Sequence, residues 1–200
     1  MPKTHEPVSK THDPRVLRAI AHPTRARILA ELFASGSLRA ADLATELGIP
    51  ANQASFHLRQ LAKYGLVEED PEAARDRRDR VWRLGDDSGI HVDLHATEKE
   101  DGGTATAAVF RRNVADWCAF LVRRALESPE GSRSTINDSS LRLTDGEAEE
   151  FQRELSELYD RWRDRTRGAG QGRQTYSYLT VLQPYPRLDE DRGPDDAGGR

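Results

Sequence analysis

The sequence predicts an α+β fold, with short helices and a β-hairpin in its first half and a mostly helical second half with a few short strands. Three observations lead there. Short amphipathic runs end on Gly36, Gly48 and Gly65, and glycine is the residue that closes a helix in a left-handed conformation. Two strand-like pieces, Leu66–Glu69 and Arg80–Leu84, flank the polar stretch Asp70–Asp79. Two later segments carry apolar residues at alternating spacings of three and four, as a packed helix requires.

The elements follow in order. Residues 1–12 are polar and read as a disordered tail. Asp13-Pro14 is a helix start, with Asp13 as N-cap and Pro14 at the first helical position. His22-Pro23 restarts the chain into a second helix with Ile28, Leu29, Leu32 and Phe33 on its apolar side. A third helix spans about 39–47. Gly48 closes it, and Pro50 prevents its continuation. A fourth covers 51–64. The two strand-like pieces then make a hairpin with an arginine-rich tip. Residues 90–96 alternate, with Ile90, Val92, Leu94 and Ala96 on one side, which predicts a half-buried strand. Residues 97–104 read as a linker.

The region 105–184 opens with a long helix over 105–127, whose stripe is Phe110, Val114, Trp117, Leu121 and Ala125. A short strand is expected at 141–143. Thr144 and Glu147 form a capping box. The helix it opens, to about 167, carries Ala148, Phe151, Leu155, Leu158 and Trp162, the seam of a packed helix pair. A strand at 176–182 stops before Pro184. The tail from 185 to 200 is acidic and Gly-rich, hence expected to be disordered.

Composition bounds the function. The 200 residues are 36% hydrophobic and 32% charged, with a formal net charge of −4. Lys and Arg outnumber Asp and Glu in residues 1–63 and are outnumbered in residues 96–200. A phosphate-facing surface therefore belongs in the N-terminal part. The single cysteine, Cys118, rules out an internal disulfide and any multi-cysteine zinc site. It reads as a small buried hydrophobe rather than a redox sensor. No apolar run approaches the ~18 residues of a membrane span, and the N-terminus has no secretory signal. The expected compartment is the cytoplasm. No cofactor is indicated, and no nucleophile–base pair or phosphate-cradling loop points to an enzyme.

Residues 38–64 read as helix, glycine turn, helix. At about 100° per residue, Ala54, Leu58 and Leu61 fall within roughly 60° of one another. Asn52, Phe56, Arg59 and Lys63 cluster opposite them, with Gln53 and Ser55 at the flank. Asn and Gln suit adenine, Arg suits guanine, and an aromatic ring suits a thymine methyl. Arg75, Arg77, Arg78 and Arg80 crowd the hairpin tip, as a wing against phosphates or the minor groove requires. The domain therefore reads as a winged helix-turn-helix over 13–96, with double-stranded DNA as partner.

The runs HPTRARILAEL (His22–Leu32) and ADLATELGIPANQASFHLRQLAKYGLV (Ala41–Val67) resemble the ArsR-type winged helix-turn-helix regulators. The most specific part is Ser55, His57, Leu58, Leu61, Gly65, Leu66 and Val67, in register without gaps. The resemblance covers about residues 13–95. It implies a homodimer on an inverted-repeat operator, usually a repressor. It places Asn52, Gln53, Ser55, Phe56, His57 and Arg59 at the DNA, with Thr24 and Arg25 near the phosphate backbone. The 105–127 helix is expected to pack against the helix at 144–167 and, with Phe110, Val114, Trp117 and Leu121 as the dimer contact, against the partner subunit.

The metal sites of that family do not carry over, because the third helix lacks cysteine and the 105–127 helix lacks histidine. The local alternative is His91, Asp93 and His95 on one strand face, a donor set that suits Zn or Ni. A metal-responsive sensor and a winged-helix protein-interaction module without DNA binding are the competing readings. Phe110, Trp117, Phe120, Phe151, Tyr159, Trp162, Tyr176 and Tyr178 are candidates for lining a pocket for an unidentified small-molecule effector.

Overall fold

A computed structural model describes residues 10–74, 80–87, 89–168 and 172–184. The winged domain opens with β1 (Lys10–Thr11), α1 (Pro14–Ile20) and α2 (Pro23–Ser35). Then come β2 (Leu38–Arg39), α3 (Ala40–Leu47), α4 (Ala51–Ala62), β3 (Val67–Glu69) and β4 (Val81–Leu84). It is followed by β5 (His91–Val92), α5 (Leu94–Glu98), α6 (Gly103–Leu126) and α7 (Asp145–Thr166). The fold is α+β: a winged helix-turn-helix domain leading into a mostly helical region.

Local chemistry sets the helix ends. The Asp13 carboxylate accepts from the Arg15 amide at 2.8 Å and Pro14 takes the first helical position of α1. α2 stops where Gly36 takes φ +92°, and α3 stops where Gly48 takes φ +65°. The core is one cluster to which α1, α2, α3, α4, β3 and β4 contribute: Ile20, Ile28, Leu29, Leu32, Leu43, Leu58, Leu61, Val67, Trp82 and Leu84. The wing sheet runs β2-β4-β3, antiparallel throughout, with Leu38 opposite Trp82 and Val67 opposite Leu84. β2 was not apparent in the sequence. Two residues are too few for a periodic signal, and only β4 makes them a strand.

Several expectations are corrected. Residues 10–12 belong to the fold, because β1 pairs in parallel with β5, Lys10 against His91 and Thr11 against Val92. Residues 1–9 and 185–200 lie outside the described residues. The strand expected at 90–96 lasts two residues, because Asp93 caps a helix: its carboxylate accepts from the Ala96 amide at 2.9 Å. The expected linker 97–104 is a tight turn joining two helices. Gly102 takes φ +71°, and a Cβ on Gly103 would collide with the Thr97 carbonyl oxygen. Thr97 is fully buried beneath that turn.

Residues 141–143 and 176–182 form no strands. Their alternation is real, but no neighbouring strand meets their backbone. The two long helices also find different partners from those the seams suggest. α6 packs on α1 and α5, with Phe110 against the core and the Asn113 amide donating to the Ala21 carbonyl at 2.8 Å. α7 packs on α2, through Tyr159 beside Phe33 and the Arg163 guanidinium 4.8 Å above the Phe33 ring.

Leu58 is fully buried where α4 meets the core. Leu58→Ala should cost about 2–5 kcal/mol of unfolding free energy, read as a lower urea midpoint with an unchanged slope.

Candidate nucleic-acid interface

The candidate interface comprises α3 and α4 and the turn between them. The Gly48 amide returns to the Thr45 carbonyl and the Ile49 amide to the Ala44 carbonyl. This ends α3 within one residue and frees the chain to turn. Pro50 then caps α4, with the Gln53 and Ala54 amides bonded to its carbonyl. The inner stripe of α4 seats fully: Ala54, Leu58 and Leu61 have no exposed surface.

Seating that stripe decides what faces outward. Asn52, Gln53, Phe56, Arg59 and Lys63 are exposed, and Ser55 is half-buried. Phe56 keeps 51% of its surface in solvent, which nothing in the core requires of a large apolar ring. Asn52 accepts from the Gln53 amide at 2.9 Å, and Lys63 reaches Gln60 at 3.4 Å. The cations of this face make no ion pair with a described carboxylate.

His57 departs from the outward set. It is 5% exposed, with its ring 4.8 Å from that of His22 and 5.4 Å from that of Phe56. One residue beyond Phe56 on a helix is a rotation of about 100°, which carries His57 off the outer face and under it. Its Nδ1 has no hydrogen-bond partner. Burial holds the His57 imidazole below the ordinary histidine pKa, and the neighbouring His22 and Arg25 push the same way. His22 is lowered for the same leading reason, burial, with Arg25 adding to it. The sequence contained both partners, in HPTR and S-x-H-L, but not their meeting.

At the start of α2, Thr24 and Arg25 are half-buried. The Arg25 guanidinium donates to the Arg18 carbonyl at 3.0 Å. His22 offers no side-chain cap to α2, so the first amides of this helix remain available to an anion. On the wing, Arg75, Arg77 and Arg78 lie outside the described residues. Arg80 is exposed at the base of the tip and pairs with Glu69 at 3.4 Å. Arg83, which sequence reasoning did not single out, is exposed on β4 and pairs with Glu68 at 2.6 Å across the hairpin. Both pairs are exposed and worth little to stability.

The metal candidates do not converge. His91 lies on β5, Asp93 caps α5, and His95 sits on α5 with its Nδ1 3.8 Å from Glu98. Among the described residues, no group of three His, Cys, Asp or Glu side chains could hold a metal ion. The aromatic residues in ring contact fall into separate groups. Trp117 and Phe120 stack on α6, with the Arg27 guanidinium 5.6 Å from the Trp117 ring. Phe33, Tyr159 and Tyr178 form a separate series at 6.2 and 6.1 Å. Cys118 is half-buried on α6. Of the expected dimer residues, Phe110 leans on the core, Leu121 is half-buried, and Val114 and Trp117 are exposed.

Residues 20–70 match the model of a family described as a helix-turn-helix domain. No curated protein matches the chain. Similar solved structures include a mutant of Lactococcus lactis ZitR in its apo form, 18% identical, covering 71% of this chain and 83% of that one, TM-score 0.30. Wild-type MarR from E. coli, apo form, is 15% identical over 74% of this chain and 87% of its own, TM-score 0.33. A mutant of S. aureus MepR bound to an oligodeoxyribonucleotide is 15% identical over 76% and 89%, TM-score 0.30.

The histidine pair gives a pH dependence of known sign. Partial desolvation lowers the pKa of exposed His22 and burial lowers that of His57 in the folded chain, whereas the unfolded chain protonates them near 6.5. Their contribution is therefore complete above about pH 6.5 and is lost as pH falls below it. Chemical denaturation between pH 5 and 8 should show stability declining on the acid side. His57→Phe should flatten that decline.

Proposed function

We propose that this chain is a DNA-binding transcription regulator of the ArsR type that acts as a homodimer on an inverted-repeat operator and represses from it. One observation carries the reading: the outer face of α4. Full burial of Ala54, Leu58 and Leu61 leaves Asn52, Gln53, Phe56, Arg59 and Lys63 projecting together from an exposed helix. The first turn of that helix is the part that reaches deepest into a major groove in a helix-turn-helix. The match of residues 20–70 to a helix-turn-helix domain supports the same element in the same role.

The assignment divides the labour. Asn52 and Gln53 offer amide donor–acceptor pairs to adenine, Arg59 offers a fork to guanine, and Phe56 offers an apolar face to a thymine methyl. Ser55, Lys63, Thr24, Arg25 and the open amides of α2 hold phosphates and fix the register. The wing arginines Arg75, Arg77, Arg78 and Arg80 extend the contact to the flanking backbone. His57 takes no base in this scheme; it supports Phe56 from below. Repression then needs only occupancy of the operator. No helix among the described residues is long and apolar enough to cross a membrane, and the proposed site of action is the cytoplasm.

Fluorescence anisotropy with duplexes from the chain's own upstream region tests the reading. Binding should weaken steeply with salt. Arg59→Ala should lower affinity for the specific duplex by about 1–3 kcal/mol while leaving non-specific affinity largely intact. Replacing Arg75, Arg77 and Arg78 with Ala should weaken both alike and flatten the salt dependence. Absence of duplex binding at low salt would sink the proposal.

A further inference from the structure

We infer that the C-terminal half of α6 and the N-terminal half of α7 are each other's partners in trans, so that two copies join by docking α6 of one on α7 of the other. This rests on the homodimer reading above and names its contact. Both helices carry the three-and-four apolar spacing of packed pairs, yet part of each stripe stays in solvent: Val114 and Trp117 on α6, Leu158 and Trp162 on α7. α6 spends its first half on α1 and α5, and beyond it Val114, Trp117, Phe120, Val122 and Leu126 are exposed. α7 has no buried residue at all. Its second half is anchored by Tyr159 and Arg163 on Phe33, by Arg167 on Asp87, and by the Gly168 amide on the Ser35 carbonyl. Among the described residues, α2 is the element on which α7 chiefly packs. A second copy of the chain would cover the exposed part of both seams.

Charge selects which surface that is. α6 carries Arg111, Arg112, Arg123 and Arg124 against the single acid Asp116. The first half of α7 carries Asp145, Glu147, Glu149, Glu150, Glu154 and Glu157 against Arg153. Among the described residues, Arg112, Arg123 and Arg124 make no ion pair, nor do Glu149 and Glu154. An α6–α6 contact would set arginines against arginines, and an α7–α7 contact would set carboxylates against carboxylates. Only the crossed pairing brings opposite signs alongside two apolar seams, as flanking charges do in a specific helix pair. The surface of α7 already has the shape for it. An open groove there has Phe151, Leu155 and Leu158 along its floor and Glu154, Glu157 and Arg161 at its rim. On α6, Arg124 lies within the arc of Trp117, Phe120 and Leu121, so its natural counterpart is Glu154. A two-fold axis repeats the contact, so each copy gives one helix and receives one.

The test is a charge exchange between copies of the full chain. Arg124→Glu and Glu154→Arg are surface changes, so each variant should keep its far-ultraviolet circular dichroism. By sedimentation equilibrium, each alone should dimerise about tenfold more weakly than the unchanged protein, because both symmetric contacts become like-charged. An equimolar mixture of the two should recover dimers. In that heterodimer one contact is native and the other is exchanged but again opposite in sign. Variants that dimerise as well as the unchanged chain, or a mixture no better than its components, would overturn the crossed pairing while leaving a dimer in place. An unchanged chain that sediments as a monomer would overturn the homodimer reading itself.

Discussion

The inward seating of one helical stripe governs this structure. Ala54, Leu58 and Leu61 lie completely inside a core contributed by α1, α2, α3 and the wing strands. A helix held along one side cannot rotate about its axis, since a turn of one residue would bring His57 to the surface and drive Phe56 into the core. The exposed side chains of α4 are therefore displayed in one fixed order. Loss of packing under that stripe would blur the display before it unfolded the domain.

His57 shows how close two roles lie on a single helix. It is adjacent in sequence to the most exposed aromatic residue of the outer face, yet it sits beneath it, in contact with His22, the residue that precedes α2. A neutral imidazole with no partner at Nδ1 is a costly occupant of that place. Its cost is tolerable because the ring packs as an aromatic wedge between α2 and α4. The same burial that makes it a wedge disfavours its charged form.

Much of the domain was legible in the sequence because its signals are local. Asp13-Pro14, Gly36, Gly48 and Pro50 each act within a turn, and helix periodicity reports burial of α4 directly. What failed depended on distant partners. β1, β2 and β5 are two-residue strands that exist only through one another or through β4. The alternation at 90–96 was read as one strand, but the Asp93 cap ended it after two residues. The 141–143 and 176–182 segments have strand-like alternation without a neighbour to bond. Seams on α6 and α7 told that these helices pack, but a seam does not say against which copy of the chain. Of the candidate site, the outer face of α4 was legible through its wheel, and the same wheel turns His57 in beside Leu61; only its meeting with His22 depended on the fold.

α2 joins the two halves of the molecule in a way that fixes distances. Its first turn carries Thr24 and Arg25. Its middle and end carry Glu31, which is almost wholly buried and accepts from the Thr175 hydroxyl at 2.6 Å, and Phe33, on which α7 rests. Thirteen residues of helix span about 20 Å, with no hinge between those points. In a dimer joined through α7, that rod rather than a flexible linker sets how far apart two copies of α4 stand. On the proposed inverted-repeat operator, the distance between half-sites would then be a length built into the protein, and inserting a single base pair between them would rotate one half-site by about a tenth of a DNA turn.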